Sequence, residues 1–271
     1  MEPVQPYTTT LNSANTYWMA HIAKAVYTRR TKKNPAPNEE KILKNLQKQD
    51  PAFRSVTGYS KNSAQAALIE HADYFCMAFR GTDELSDWLD NVNVFSEEVL
   101  FGHFHRGFWR SLNDVWEGMF EAYEKLMAKK KRPIFLTGHS LGGAMATVAA
   151  AKLVHQDIPF TSVYTFGQPR VMTRDTSRIF NVECKGRFFR FQNNNDLVTR
   201  VPARLMGYSH VGSFLYISQE ERLHNDPGYW FRFLDYIDGA FDDALALGLD
   251  GIKDHDMANY LKAIKKWDCD F

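Results

Sequence analysis

Cysteine is scarce in this sequence: three in 271 residues, at Cys76, Cys184 and Cys269. An odd number at wide spacing excludes a disulfide framework and does not fit paired metal ligands. Cys76 lies in an apolar, strand-like run and reads as a small core residue. A reducing compartment is the expectation. Charge of one sign is lacking too. Lys and Arg number 33 against 32 Asp and Glu, a formal +1, so nothing calls for nucleic acid as a partner. No apolar run reaches the length of about 18 residues needed to span a bilayer. Residues 1–10 lack a basic segment followed by an apolar one, so no signal peptide is read, and a cytoplasmic location is the default with secretion left open. Phosphate loops, dinucleotide fingerprints, zinc motifs and internal repeats are absent. His103 and His105 form an H-x-H pair with no third ligand at suitable spacing. No cofactor and no metal are therefore expected.

What is present is the material of a globular protein. Apolar residues make up 44% and charged residues 24%, and a chain of this length buries roughly three quarters of its unfolded surface. Residues 65–70, 74–80, 133–137, 162–166 and 187–191 read as strands. Residues 13–29, 106–130 and 140–156 read as helices, and the stretch from Tyr229 to Phe271 as largely helical. In the second helix Phe108, Trp109, Leu112, Val115, Trp116, Met119 and Phe120 recur with spacings of three and four, one buried face. Residues 32–40, with Pro35 and Pro37, form the clearest loop. The basic run Lys129-Lys130-Lys131-Arg132 reads as a solvated helix end that offsets the helix dipole. Strands alternating with helices imply a mostly parallel sheet covered on both faces.

The sharpest local signal is Gly138-His139-Ser140-Leu141-Gly142-Gly143, a G-x-S-x-G pattern placed where a strand gives way to a helix. There a serine sits on a tight turn with its hydroxyl exposed, and glycines are required because the neighbouring strand and helix leave no room. A serine hydroxyl is a weak nucleophile unless a histidine takes its proton and an acid orients that histidine. Asp196, in the loop Asn193-Asn194-Asn195-Asp196 just past a strand end, lies at the edge of a parallel sheet where ligands bind. Among later histidines, His155 precedes Asp196 in the chain and His224 lies in a polar loop with nothing to orient it. His210 and His255 stay open on local grounds. His255, at a loop–helix junction, is the better placed to reach across a site. Leu141, first after the serine and at a helix N-terminus, would offer its N–H to a developing oxyanion.

These segments resemble one family. Gly138-His139-Ser140-Leu141-Gly142-Gly143-Ala144 is similar to the elbow of the class 3 lipases, the fungal triacylglycerol lipase family. Phe79-Arg80-Gly81-Thr82, His105-Arg106-Gly107-Phe108, Tyr164-Thr165-Phe166-Gly167-Gln168-Pro169-Arg170-Val171, and Asp196 with Val201-Pro202 follow the same family's order. The resemblance runs from the N-terminal helix to His255. It implies an α/β-hydrolase fold in one domain over 1–271, with a central mostly parallel sheet, helices on both faces and a short helical lid. It implies Ser140 as nucleophile, Asp196 as orienting acid, His255 as general base and Thr82 as the second oxyanion donor. His210, in Tyr208-Ser209-His210-Val211-Gly212, resembles the family's non-catalytic histidine.

Leu85, Trp88, Leu89 and Val92 stand at offsets of 0, 3, 4 and 7, one apolar face of a helix with an acidic opposite face. Such a helix either packs on the core or covers an acyl pocket, and its position matches the family's lid, about 83–97. The resemblance implies a serine ester hydrolase acting on acylglycerols, with a lipid or ester as partner, transient binding to a lipid–water interface, and a monomer. Phospholipase A1 or feruloyl esterase chemistry on the same scaffold is the alternative, and a non-catalytic lipid-binding module is the remaining one.

Overall fold

A computed structural model of the chain describes residues 2–82, 95–226 and 253–267. Leu85, Trp88, Leu89 and Val92 lie outside the described residues, as does most of the expected helical stretch after Tyr229. Of the segment read as a lid, residues 96 and 97 belong to a strand.

The chain enters through helix α1 (Ser13–Ala25), capped by Asn12, whose side chain accepts from the N–H of Asn15 at 2.8 Å. The expected end at residue 29 is too late. After Ala25 the chain turns back on itself, with Asn38 N–H donating to the Thr28 carbonyl and Arg30 N–H to that of Ala36. Helix α2 (Glu39–Gln47) begins inside the segment read as a loop. Strands β1 (Phe53–Lys61), β2 (Ala64–His71) and β3 (Phe75–Arg80) form an antiparallel meander. Two short strands, β4 (Ser96–Val99) and β5 (Gly102–His105), lead into the long helix α3 (Arg106–Lys129). Then follow β6 (Ile134–His139), α4 (Leu141–His155), β7 (Val163–Phe166), β8 (Met172–Thr173), α5 (Arg174–Cys184) and β9 (Phe188–Asn193). The described chain ends with β10 (Tyr208–Ser209), β11 (Ser213–Ile217), β12 (Leu223–Asn225) and α6 (Met257–Lys266).

Eight strands make one sheet in the order β1-β2-β3-β6-β7-β9-β11-β12. From β3 through β11 every neighbour is parallel, and the antiparallel pairs stand at the two edges. The central strands are buried on both faces and so read as continuous apolar runs. In β3, Phe75, Met77 and Phe79 face a core shared with α3 and α4, while Cys76 and Ala78 face one shared with α1 and α6. The Ala-rich α4 is buried nearly all round, which its small side chains permit. The remaining strands form a small sheet, β10-β8-β5-β4. Among the described residues no helix is long and apolar enough to cross a membrane.

Arg132 departs from its reading as part of a solvated helix end. It is buried, its guanidinium 2.7 Å from Glu70 and stacked 4.2 Å over the ring of Phe75. Its apolar stem and flat head fit a site that a lysine could not fill.

Candidate active site

The elbow follows from crowding. A side chain at Gly138 would meet the carbonyl of Gly142, and one at Gly142 would meet the carbonyl of Phe79. With both positions reduced to backbone, β6 turns directly into α4. Ser140 absorbs the turn at φ 60°, ψ −131°, a conformation that costs on the order of 1–3 kcal/mol for a non-glycine residue. Its N–H donates to the Phe166 carbonyl at 2.9 Å, which ties the turn to the end of β7. Ser140 caps α4, and Leu141 occupies the helix's first position, where amides lack intrahelical acceptors.

Asp196 is fully buried in the loop after β9. Its Oδ2 accepts from His255 Nδ1 at 2.8 Å and from the Tyr260 hydroxyl at 2.6 Å, and its Oδ1 accepts from Val198 N–H at 2.9 Å. Three donors and a backbone turn therefore hold the carboxylate in one pose. Tyr260 also accepts from the N–H of Asn193, and burial pushes its hydroxyl well above the usual tyrosine range, so it stays a donor. His255 sits immediately before the Asp256 cap of α6, whose side chain accepts from Ala258 N–H at 2.8 Å. The two loops are stitched together one residue away. Asp254 accepts from the Asn193 side chain through its carbonyl, and from the Asn194 side chain and Asn195 N–H through its carboxylate. The Asn-rich run is thus a clasp for the loop that carries His255.

The histidine that local reasoning left beside His255 lies elsewhere. His210 donates from Nε2 to the Thr199 carbonyl at 2.8 Å, packed behind the loop that follows Asp196. Burial, reinforced by Arg190 and Arg170, holds it well below the usual histidine range, so it is neutral. His105 caps α3, its Nδ1 accepting from Phe108 N–H, and its ring stacks 4.0 Å from that of Phe108. Among the described residues no cluster of three ligating side chains could hold a metal ion.

Two atoms of the site are left without partners among the described residues: the buried hydroxyl of Ser140 and Nε2 of His255. Gly81, just before Thr82, packs on the serine, since a side chain there would approach Ser140 Cβ to 2.7 Å. The loop of Thr82, the elbow and the His255 loop therefore meet at the carboxyl ends of the parallel strands. Reasoning from sequence missed Tyr260, Tyr27 and the role of His139. Tyr260 carried one signal: a tyrosine on the buried face Met257, Tyr260, Leu261, Ile264 needs a polar partner.

A parallel sheet with a strained serine between strand and helix defines an α/β-hydrolase. The profile described as Lipase (class 3) matches residues 76–206, from β3 past Asp196. The secreted mono- and diacylglycerol lipase A of Penicillium cyclopium is 29% identical over 179 residues, 64% of this chain and 57% of the relative. The secreted mono- and diacylglycerol lipase 1 of Fusarium solani is 35% identical over 141 residues, 50% of this chain and 41% of the relative. The chain thus spans about half the length of the curated relatives it matches. The crystal structure of a lipase from Rhizopus microsporus var. chinensis superposes with a TM-score of 0.64 at 20% identity, over 79% of this chain and 81% of that one. At that identity the likeness speaks for the fold. Both curated relatives are named as secreted proteins, and neither supports the cytoplasmic default.

Proposed function

We propose that the protein hydrolyses ester bonds of acylglycerols through an acyl-enzyme on Ser140. His255 takes the serine proton and later activates water, and Asp196 fixes the imidazole with its proton on Nδ1. The observation that carries this reading is the pairing of His255 Nδ1 with a fully buried Asp196 at 2.8 Å, which leaves Nε2 of the same ring unspent, as the buried hydroxyl of Ser140 is. Nδ1–H donation to a carboxylate fixes the tautomer in which Nε2 accepts a proton, as a general base requires. The N–H groups of Leu141 and Thr82 receive the oxyanion, each worth on the order of 3 kcal/mol of transition-state stabilisation.

Acylglycerol is the substrate class because both curated relatives are named for mono- and diacylglycerols. Their names also favour secretion as the location. A lipid–water interface as partner is supported by bare apolar side chains on the turn that follows the Asp196 loop, where Leu205 is fully exposed and Met206 is 54% exposed. Leu85, Trp88, Leu89 and Val92 are assigned to a lid over the acyl pocket. One domain over the whole chain is supported by α1 and α6, which share one core from opposite ends of the described sequence.

A fluorophosphonate probe tests the mechanism. It labels the wild-type chain once and fails to label Ser140→Ala. Equal labelling of both would place the nucleophile elsewhere. Hydrolysis of diacylglycerol emulsions, measured against phospholipid vesicles and a feruloyl ester, then assigns the substrate.

A further inference from the structure

His139 stands in the variable position of the G-x-S-x-G pattern, yet it is 5% exposed and both ring nitrogens are committed. Its Nε2 lies 2.6 Å from the main-chain carbonyl of His255, and its Nδ1 lies 2.6 Å from the Tyr27 hydroxyl. A carbonyl can only accept, so Nε2 carries the proton and Nδ1 is the acceptor. Tyr27 then donates to Nδ1, and its oxygen accepts from the N–H of Gly81 at 3.2 Å. One hydrogen-bonded line therefore runs from Gly81 through Tyr27 and His139 to His255. Its first member adjoins Thr82, its third adjoins Ser140, and its last carries the base. The rings of His139 and His255 lie 4.4 Å apart.

We propose that His139 is a positioning residue: with Tyr27 it fixes the oxyanion loop and the base-bearing loop to the strand end that presents the nucleophile. This rests on the triad reading above. The oxyanion loop and the nucleophile leave β3 and β6, adjacent strands paired up to Phe79 and Gly138, whereas the base-bearing loop approaches α6 and belongs to neither strand. The base-bearing loop must be tied to that strand pair, and this line is a direct polar link that joins all three loops. Burial, with the neighbouring His255, holds the His139 imidazole well below the usual histidine range. A neutral ring also avoids a second cation against the imidazolium that forms on His255 during turnover.

The test compares His139→Leu, His139→Gln and Tyr27→Phe by steady-state kinetics on a soluble nitrophenyl ester and by the rate of fluorophosphonate labelling. Leucine fills space and makes neither bond. Loosening a catalytic group by about 1 Å costs about a hundredfold, so kcat and labelling rate fall about that far with KM within twofold. Glutamine keeps a donor that reaches the His255 carbonyl and restores at least tenfold of the loss. Tyr27→Phe, which removes one link and leaves the imidazole in place, loses about tenfold. Circular dichroism and urea midpoints establish that each variant is folded. The proposal is overturned if folded His139→Leu turns over within threefold of wild type, or if His139→Gln falls as far as His139→Leu, since filling of space would then be the whole role. If His139→Leu does not fold, Tyr27→Phe decides, and a wild-type rate overturns the proposal. Failure of the wild-type chain to label at all would instead remove the triad reading, and this proposal with it.

Discussion

Asp196→Asn is the most exacting perturbation of the site, because the carboxylate meets three donors and no acceptor. His255 Nδ1 and the Tyr260 hydroxyl converge on Oδ2 at 2.8 and 2.6 Å, and Val198 N–H reaches Oδ1 at 2.9 Å. An amide of the same shape must turn its NH2 one way or the other. Turned toward Val198, it sets donor against donor in a buried loop, an unmatched group costing about 1–3 kcal/mol. Turned toward His255, it forces the imidazole to accept at Nδ1 and to carry its proton on Nε2. That tautomer cannot take the Ser140 proton. Tyr260 cannot relieve the conflict, since its oxygen already accepts from Asn193 N–H. Loss of the correct tautomer lowers kcat by about 10⁴-fold in a serine triad, equivalent to about 5.4 kcal/mol of barrier. The expected result is therefore a fall of about 10³–10⁴ in kcat and in fluorophosphonate labelling rate, with KM nearly unchanged and a urea midpoint lowered by a loss of about 1–3 kcal/mol. A folded Asp196→Asn protein retaining a tenth of wild-type kcat would refute the reasoning, since the acid would then contribute no tautomer control.

Two further outcomes follow from the packing around this pair and from a histidine remote from it. Gly167 has φ +59°, and an added Cβ would lie 2.7 Å from Asp196 Oδ2 and 2.9 Å from His255 Nδ1; Gly167→Ala is expected to lower kcat by about a hundredfold through misplacement, measured on a soluble ester, and an unchanged kcat would show that the loops yield without cost. His21 is held at about 4 by burial, with Lys265 and Lys24 adding to the effect, and its Nε2 faces the Gln49 amide at 3.1 Å. Its folded pKa lies below its unfolded value, so the unfolded chain binds more protons as pH falls through 6.5, and the stability present above that pH is lost toward pH 4. Urea unfolding at pH 7 and pH 4.5 is expected to give a loss in wild type about 2 kcal/mol larger than in His21→Gln, and parallel losses would count against it.

The serine turn was legible because its cause is local. Gly138 and Gly142 are fixed by clashes within a few residues, so the composition of the segment carries the geometry. The parallel core was legible for the same reason: β3, β6 and β7 are apolar on both faces and announce themselves as runs. The small sheet was not, because strands of two to four residues leave no period to detect. The choice between His210 and His255 is the telling case. Chain order admits both, since both follow Asp196. What separates them in space is a set of polar contacts across about sixty residues, in which Asp254 takes bonds from Asn193, Asn194 and Asn195 and so brings His255 to the acid. None of those four residues is periodic, apolar or part of a motif, and an Asn-rich run after a strand reads as an ordinary turn. The same holds for Tyr27 and His139, whose significance depends on a partner over a hundred residues away. Local sterics thus write the serine turn into the sequence. The meeting of His255 with Asp196 is held by long-range hydrogen bonds, whose donors and acceptors look interchangeable until the chain is folded.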